Sequence, residues 1–364
     1  MKHLLTPVTV GALSLNNRIA MAPLTRARSG TDGVPTGANA LYYGQRATAG
    51  LIISEATNVS TRSAAFELAP GIHNAAQVAG WKRVADAIHA DGGKLFVQLW
   101  HSGRVSASAL LDGQEPLSPS GVNDDLGALQ VYAALRNGAY ARIAASPSRA
   151  MTEDEIHAVV REFRAGAVNA LAAGADGVEL HAANGYLIQQ FLSSAVNRRD
   201  DAYGGSVENR ARLLREIVVA LLEVMPAGRI GVRLSPFARY NNAQDADTAA
   251  TYIHVAKMLQ EFGVAYIHAA DTNAWGGEAQ LTQILALIRP HFKGAVIANA
   301  GLTPEAAEAL VAGGQVDLVA FGRQYVANPD LVARIAQDGP YNTPDVATFY
   351  GGDARGYTDY PALA

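Results

Sequence analysis

The chain has 364 residues, a formal net charge of −4 and no cysteine. A slightly acidic chain with no run of Lys or Arg argues against a nucleic-acid surface or a polybasic membrane patch. The absence of cysteine excludes disulfides, Fe–S clusters, thiolate zinc sites and cysteine nucleophiles.

Apolar residues make up 49 % of the chain, enough for a large buried core. No long apolar stretch follows Lys2, so neither a signal peptide nor a membrane span is expected, and a cytoplasmic protein is the default. Leu4–Leu15 alternates and bends at Gly11, which predicts a small hairpin before the first strand, placed to plug a barrel bottom. Eight apolar runs then recur: Ile19–Leu24, Leu51–Ala56, Leu95–Trp100, Gly177–His181, Ile230–Ser235, Ala265–Ala269, Ala295–Asn299 and Leu318–Gly322. Continuous apolar runs suit strands buried on both faces of a parallel sheet.

Helical patterns lie between the runs. Gln77–Ala90 places Val78, Trp81, Val84, Ala85 and Ile88 at helical spacing, and Thr152 with Glu155 forms a capping box. Ser206–Met225 and Asp247–Phe262 follow, and Pro304 opens a later helix after Thr303. Strand and helix alternating about eight times predict an α/β protein, a closed (β/α)8 TIM barrel occupying residues 1–364 as one domain. The stretch from His101 to Met151 is too long for an ordinary loop. Within it, Val131–Leu135 and Ala139–Ile143 flank the turn signal Asn137-Gly138, so residues 102–151 are expected to cap the C-terminal face after the third strand.

In such barrels the chemistry collects at the C-terminal ends of the strands. The first strand delivers Pro23, Leu24 and Thr25 there, the second Glu55 and Ala56, and the third Gln98 and Trp100. The fourth delivers His181, Asn184 and Tyr186, and the fifth Arg233. His181 and Asn184 offer two hydrogen-bond donors for one carbonyl oxygen, and the Tyr186 hydroxyl is a weak acid. The last two strands lead into Ala300-Gly301 and Gly322-Arg323. Glycines that admit close backbone approach, with an arginine, fit a phosphate. Arg233 needs a negative partner if buried: Glu55, Glu179, or an anionic ligand.

The runs MAPLTR at 21–26, GLIISEAT at 50–57, VQLWHSGR at 97–104 and ELHAANGYLIQQFLS at 179–193 resemble motifs of the Old Yellow Enzyme family. So do NRRDDAYGGSVENRARLL at 197–214, AFGRQYVANPDLV at 320–332 and FYGGDARGYTDYP at 349–361. The resemblance spans nearly the whole chain and is strongest to the single-domain bacterial and yeast-like branch. It implies noncovalent FMN as cofactor and NADPH or NADH as hydride donor. The reaction implied is ping-pong reduction of enones, enals, maleimides and nitroalkenes, in a monomer or homodimer. The roles implied place Pro23, Leu24, Thr25, Ala56, Gln98, Arg233, Ala300, Gly301, Gly322, Arg323 and Tyr350 on the cofactor. His181 and Asn184 would bind the substrate carbonyl, with Tyr186 as proton donor and Phe66, Trp100 and Trp275 shaping the pocket. Asn184 stands where many bacterial relatives have a second His, and Phe66 where many have Tyr. The segment around Val131–Ile143 matches the family least.

Other barrel chemistries fit less well. None of Lys2, Lys82, Lys94, Lys257 and Lys293 lies at a strand's C-terminal end, as a Schiff-base aldolase requires. No HxH pair ends the first strand, so no metal site is expected. A flavin-binding sensor without turnover would have little use for Tyr186.

Overall fold

A computed structural model describes residues 2–275 and 278–363, with the side chain of Trp275 outside the described residues. Eight parallel strands form a closed barrel: Ile19–Met21, Leu51–Ile53, Leu95–Trp100, Gly177–Ala182, Ile230–Leu234, Tyr266–Ala270, Ala295–Asn299 and Leu318–Phe321. Each pairs with the next, and the eighth pairs with the first through Ala320 opposite Ala20. Every strand but one is buried at all its positions, since side chains alternate between the barrel interior and the surrounding helices.

The predicted hairpin forms between Val8–Val10 and Leu13–Leu15, preceded by a 3-10 turn at His3–Leu5. Val10, Leu13 and Leu15 pack on Ala20, Leu51, Phe96, Tyr266, Ile297 and Leu318, the interior residues of the strands' N-terminal halves. The hairpin therefore closes the barrel bottom. Gly11 is left-handed at φ +55, and a Cβ there would lie 2.3 Å from the Gly228 carbonyl oxygen, so the close approach needs glycine.

Helix starts follow their caps. Asn74 accepts the Gln77 N–H at the head of Ala75–His89, and Thr152 and Glu155 form the predicted reciprocal box before Glu153–Ala172. The region 206–225 is two helices, Val207–Arg210 and Arg212–Leu222, because the chain shifts at Ala211. A short helix at Gly37–Gly44 escapes the periodicity argument, since glycines bound its eight residues. Apolar helix faces and strands share one core that includes Trp81, Val84, Ile88, Phe163 and Ile217. Emptying a site such as Trp81 would cost about 3–5 kcal/mol.

The insertion after the third strand carries the hairpin Val131–Ala134 with Tyr140–Ile143. Gly138 takes φ +84, and the Asn137 side chain accepts the Ala139 N–H. Tyr132 pairs with the loop after the second strand, its N–H donating to Ala65 O at 2.9 Å. The insertion thus lies over the C-terminal mouth. Arg104, fully buried, braces it with two bonds to Asp125 and one each to the Val122 and Asn241 carbonyls.

Candidate active site

The C-terminal mouth assembles residues from every quarter of the chain. Pro23, Leu24 and Thr25 form a half-buried rim after the first strand. Glu55, at the end of the second, holds that rim from inside: Oε2 accepts the N–H groups of Arg26 at 2.9 Å and Ala27 at 3.1 Å. Its other oxygen receives the Tyr43 hydroxyl. Glu55 is thus a loop clamp and does not pair with Arg233. Buried Ala56 follows it at the mouth.

Arg26 and Arg28 carry the next layer. The Arg26 guanidinium donates to the carbonyls of Phe349 and Gly356, and Arg28 donates to Thr348 and Asp353. These bonds lay the C-terminal segment across the first loop and bring Tyr350 to the mouth, 37 % exposed. Tyr350 meets Phe66 at 5.4 Å between ring centroids and Tyr132 at 5.4 Å. Phe66 stacks on Tyr132 at 5.0 Å and leans on Trp100 at 6.3 Å. One aromatic wall therefore joins the second-strand loop, the third strand, the cap and the C-terminus. Trp100 is fully buried, and its Nε1–H has no partner. Trp275 ends a 3-10 turn at Asn273–Trp275. Its predicted wall position concerns a side chain outside the described residues.

The fourth strand supplies the polar centre. Gly185 is left-handed at φ +73, and a Cβ there would meet Tyr240 O at 2.6 Å. The resulting turn brings His181, Asn184 and Tyr186 together. The His181 Nδ1 accepts the Ala183 N–H at 3.4 Å, so a neutral ring carries its hydrogen on Nε2. Burial, then the charge of Arg233, holds this imidazole well below its ordinary pKa, and it is neutral. Asn184 sits at φ +57, its N–H bound to Ser235 Oγ at 2.8 Å and its carbonyl accepting from Asn241 Nδ2 at 2.9 Å. Its side-chain Oδ1 is buried without a partner. The Tyr186 ring stands edge-on to Trp100 at 5.1 Å and to His181 at 4.9 Å. Burial raises its pKa well above the ordinary value, and the Asn241 amide partly offsets this.

Deeper in the barrel, Gln98 donates to Glu179 Oε1 at 2.7 Å. Arg233 is buried, its Nη2 donating to Asn299 Oδ1 at 2.9 Å and its Nη1 reaching His268 Nε2 at 2.7 Å. Neither carboxylate singled out in the sequence touches Arg233. Glu179 stands one imidazole away, bound to His268 at 2.9 Å. The Arg233 Nε is buried and has no partner among the described residues. Ala300 is buried beside exposed Gly301, which takes φ +66. Gly322 closes on Leu24, and exposed Arg323 begins the helix Arg323–Ala327. The Asn299 amide donates to Ala320 O at 2.8 Å and holds these two loops side by side. Among the described residues no cluster of His, Asp and Glu could hold a metal, and no helix is long and apolar enough to cross a membrane.

Sequence reasoning missed His268, Asn241, Tyr132 and Tyr140. A lone His inside the apolar strand YIHAA was the available signal for the first.

This donor set fits a flavin monophosphate. Gln98 and Arg233 offer polar N–H groups inside the barrel, and two glycine loops with exposed Arg323 lie side by side at its mouth. Residues 3–342 match the model of the NADH:flavin oxidoreductase / NADH oxidase family. The chain is 43 % identical to the putative 12-oxophytodienoate reductase 11 of Oryza sativa subsp. japonica, over 99 % of this chain and 97 % of the relative. It is 40 % identical to 12-oxophytodienoate reductase 2 of Arabidopsis thaliana, over 99 % and 96 %. Among solved structures, morphinone reductase superposes with a TM-score of 0.95 at 43 % identity, covering 100 % of this chain and 96 % of the other. The old yellow enzyme homologue from Zymomonas mobilis gives 0.91 at 38 % identity, covering 99 % of each chain. One morphinone reductase structure contains tetrahydroNAD. The chain is an FMN-dependent oxidoreductase that reduces activated C=C bonds with a nicotinamide donor, and it belongs to the NADH:flavin oxidoreductase / NADH oxidase family, the family of Old Yellow Enzyme.

Proposed function

We propose that the barrel mouth reduces the C=C bond of enones, enals, maleimides and nitroalkenes, with NADPH or NADH as donor, at a centre formed by His181, Asn184 and Tyr186. One arrangement carries the reading: the ring of a neutral His181 lies edge-on to the Tyr186 ring at 4.9 Å, and Asn184 sits on the left-handed turn between them. FMN, when bound, would supply the hydride chemistry linking the nicotinamide donor to the β carbon in a ping-pong order.

His181 and Asn184 donate to the carbonyl oxygen, where negative charge gathers in the transition state. Because the imidazole is neutral, it lends a hydrogen bond without giving up its proton. Tyr186 is protonated at neutral pH and delivers its proton to the α carbon. Pro23, Leu24, Thr25 and Ala56 would line the ring, Gln98 and Arg233 would meet its pyrimidine edge, and Ala300, Gly301, Gly322 and Arg323 would hold the phosphate. Phe66, Trp100 and Tyr350 would set the shape of the acceptor space. We read residues 1–364 as a single domain acting as a monomer or homodimer. The lack of cysteine fits a reducing, cytoplasmic setting.

Product analysis on an enone panel, run anaerobically with NADPH, tests the proposal. Saturated ketones with the carbonyl intact are expected. Allylic alcohols, or no turnover, would overturn it.

A further inference from the structure

A buried polar chain lies among the groups assigned to the flavin edge. Glu179, fully buried, accepts three hydrogen bonds: from Gln98 Nε2 at 2.7 Å, Tyr266 Oη at 3.1 Å and His268 Nδ1 at 2.9 Å. His268 is equally buried and lies between Glu179 and Arg233. A guanidinium can only donate, so the imidazole nitrogen nearest it, Nε2 at 2.7 Å, must accept. The ring hydrogen therefore sits on Nδ1 and goes to Glu179. Burial and the charge of Arg233 hold His268 down to about 4, which keeps it neutral. The cluster carries one negative and one positive charge, separated by an imidazole.

Resting on the reading that Gln98 and Arg233 meet the flavin, we propose that Glu179 is the positioning residue for the whole pyrimidine edge, orienting Gln98 directly and Arg233 through His268. The two ends of a Gln amide are nearly equal in shape, and only a partner that discriminates donor from acceptor fixes them. The carboxylate does so: it takes one N–H of Gln98 and leaves the second N–H and the oxygen for the ligand. His268 holds Nη1 while Asn299 holds Nη2, so the guanidinium plane is fixed. A neutral cluster also sets the charge that a reduced, anionic ring meets.

Midpoint potentials of the FMN-bound enzyme test this. Glu179→Gln leaves Arg233 uncompensated and favours the anionic reduced ring. The reduced form should bind about tenfold tighter relative to the oxidised form, a rise of about 30 mV for a two-electron couple. His268→Leu removes the acceptor for Nη1, and the guanidinium turns to Glu179, so the potential should fall. His268→Gln can present an oxygen to Arg233 and an N–H to Glu179, and should stay near wild type. Arg233→Gln is the control and should lower the potential. Merely structural roles would not give this order of rise, fall and rescue. If only Arg233→Gln moves the potential, the relay is overturned while the flavin contact stands. If Arg233→Gln also leaves it unchanged, the contact itself fails and the inference fails with it. Should Glu179→Gln not retain FMN, the difference between His268→Leu and His268→Gln decides: equal potentials overturn the relay.

Discussion

The rings of His181 and Tyr186 meet at 86°, with centroids 4.9 Å apart, so two residues five positions apart in sequence are held edge to face, and the proposed function gives them separate tasks. Hydride transfer from NADPH to FMN requires no proton at a substrate carbon. Tyr186→Phe should therefore leave flavin reduction by NADPH nearly intact. It should slow reoxidation by cyclohexenone by about 10²–10⁴-fold, the usual worth of a general acid. Nitroalkenes should suffer less, because a nitronate persists until water protonates it. Anaerobic stopped-flow of both half-reactions checks this. Equal slowing of both would make Tyr186 a packing residue.

The oxygen site can be probed without turnover. Phenols place an oxyanion where the enone oxygen would sit. His181→Ala and Asn184→Ala should each weaken phenol binding by about 1.5–3 kcal/mol, the value of a charge-assisted bond. Optical titration of the bound flavin reads the affinity. Unchanged affinity in both variants would remove this pair as the oxygen site.

Three fully buried imidazoles make the fold acid-sensitive. Burial pushes His101 down to about 3 and His268 to about 4, and His181 is well below normal. An unfolded His titrates near 6.5, so below that pH the unfolded chain binds protons the folded chain refuses. Stability is therefore full above about pH 6.5 and falls as pH drops toward 4, by at most about 4 kcal/mol per pH unit for three sites. Carboxylates with depressed pKa act only below about 4.5, while Glu55 and Glu162, raised by burial, oppose the imidazoles and His73 adds to them, so the slope from 6.5 to 5 is the net of these groups. Denaturant midpoints across that window should drop steeply, and His101→Asn should flatten the slope. A flat profile in the wild-type protein would contradict buried neutral imidazoles.

Arg323 is exposed beside two glycine loops and makes no ion pair among the described residues. Arg323→Ala should raise the FMN dissociation constant while leaving the ratio of rates between two enones unchanged. Fluorescence of released flavin on dilution measures the first, and competition assays the second. Retention equal to wild type would move the phosphate elsewhere.

The barrel was legible in the sequence because each strand is a continuous apolar run and several helices announce their caps, as Thr152 and Glu155 do. The candidate site residues stood out as polar positions within or at the end of those runs: Gln98 and Arg233 interrupt theirs, and His181 ends its own. What stayed hidden depends on contacts between distant strands. His268 has no role until the barrel curves it between Glu179 and Arg233. Glu55 looks like a possible partner for Arg233 until the loop after the first strand folds onto its carboxylate. Asn241 becomes visible only when a left-handed turn at φ +58 carries its amide to Asn184 and Tyr186. Tyr132 and Tyr140 lie in the segment least like the family, and they matter only once the cap stacks them on Tyr350.

One measurement bears most directly on the central assignment. The FMN-bound enzyme is reduced with one equivalent of NADPH under argon and mixed with 2-cyclohexen-1-one. The oxidised flavin absorbance should return as the enone disappears, with one cyclohexanone formed per flavin. A flavin that stays bleached until oxygen is admitted, with the enone unchanged, would contradict C=C reduction at this site.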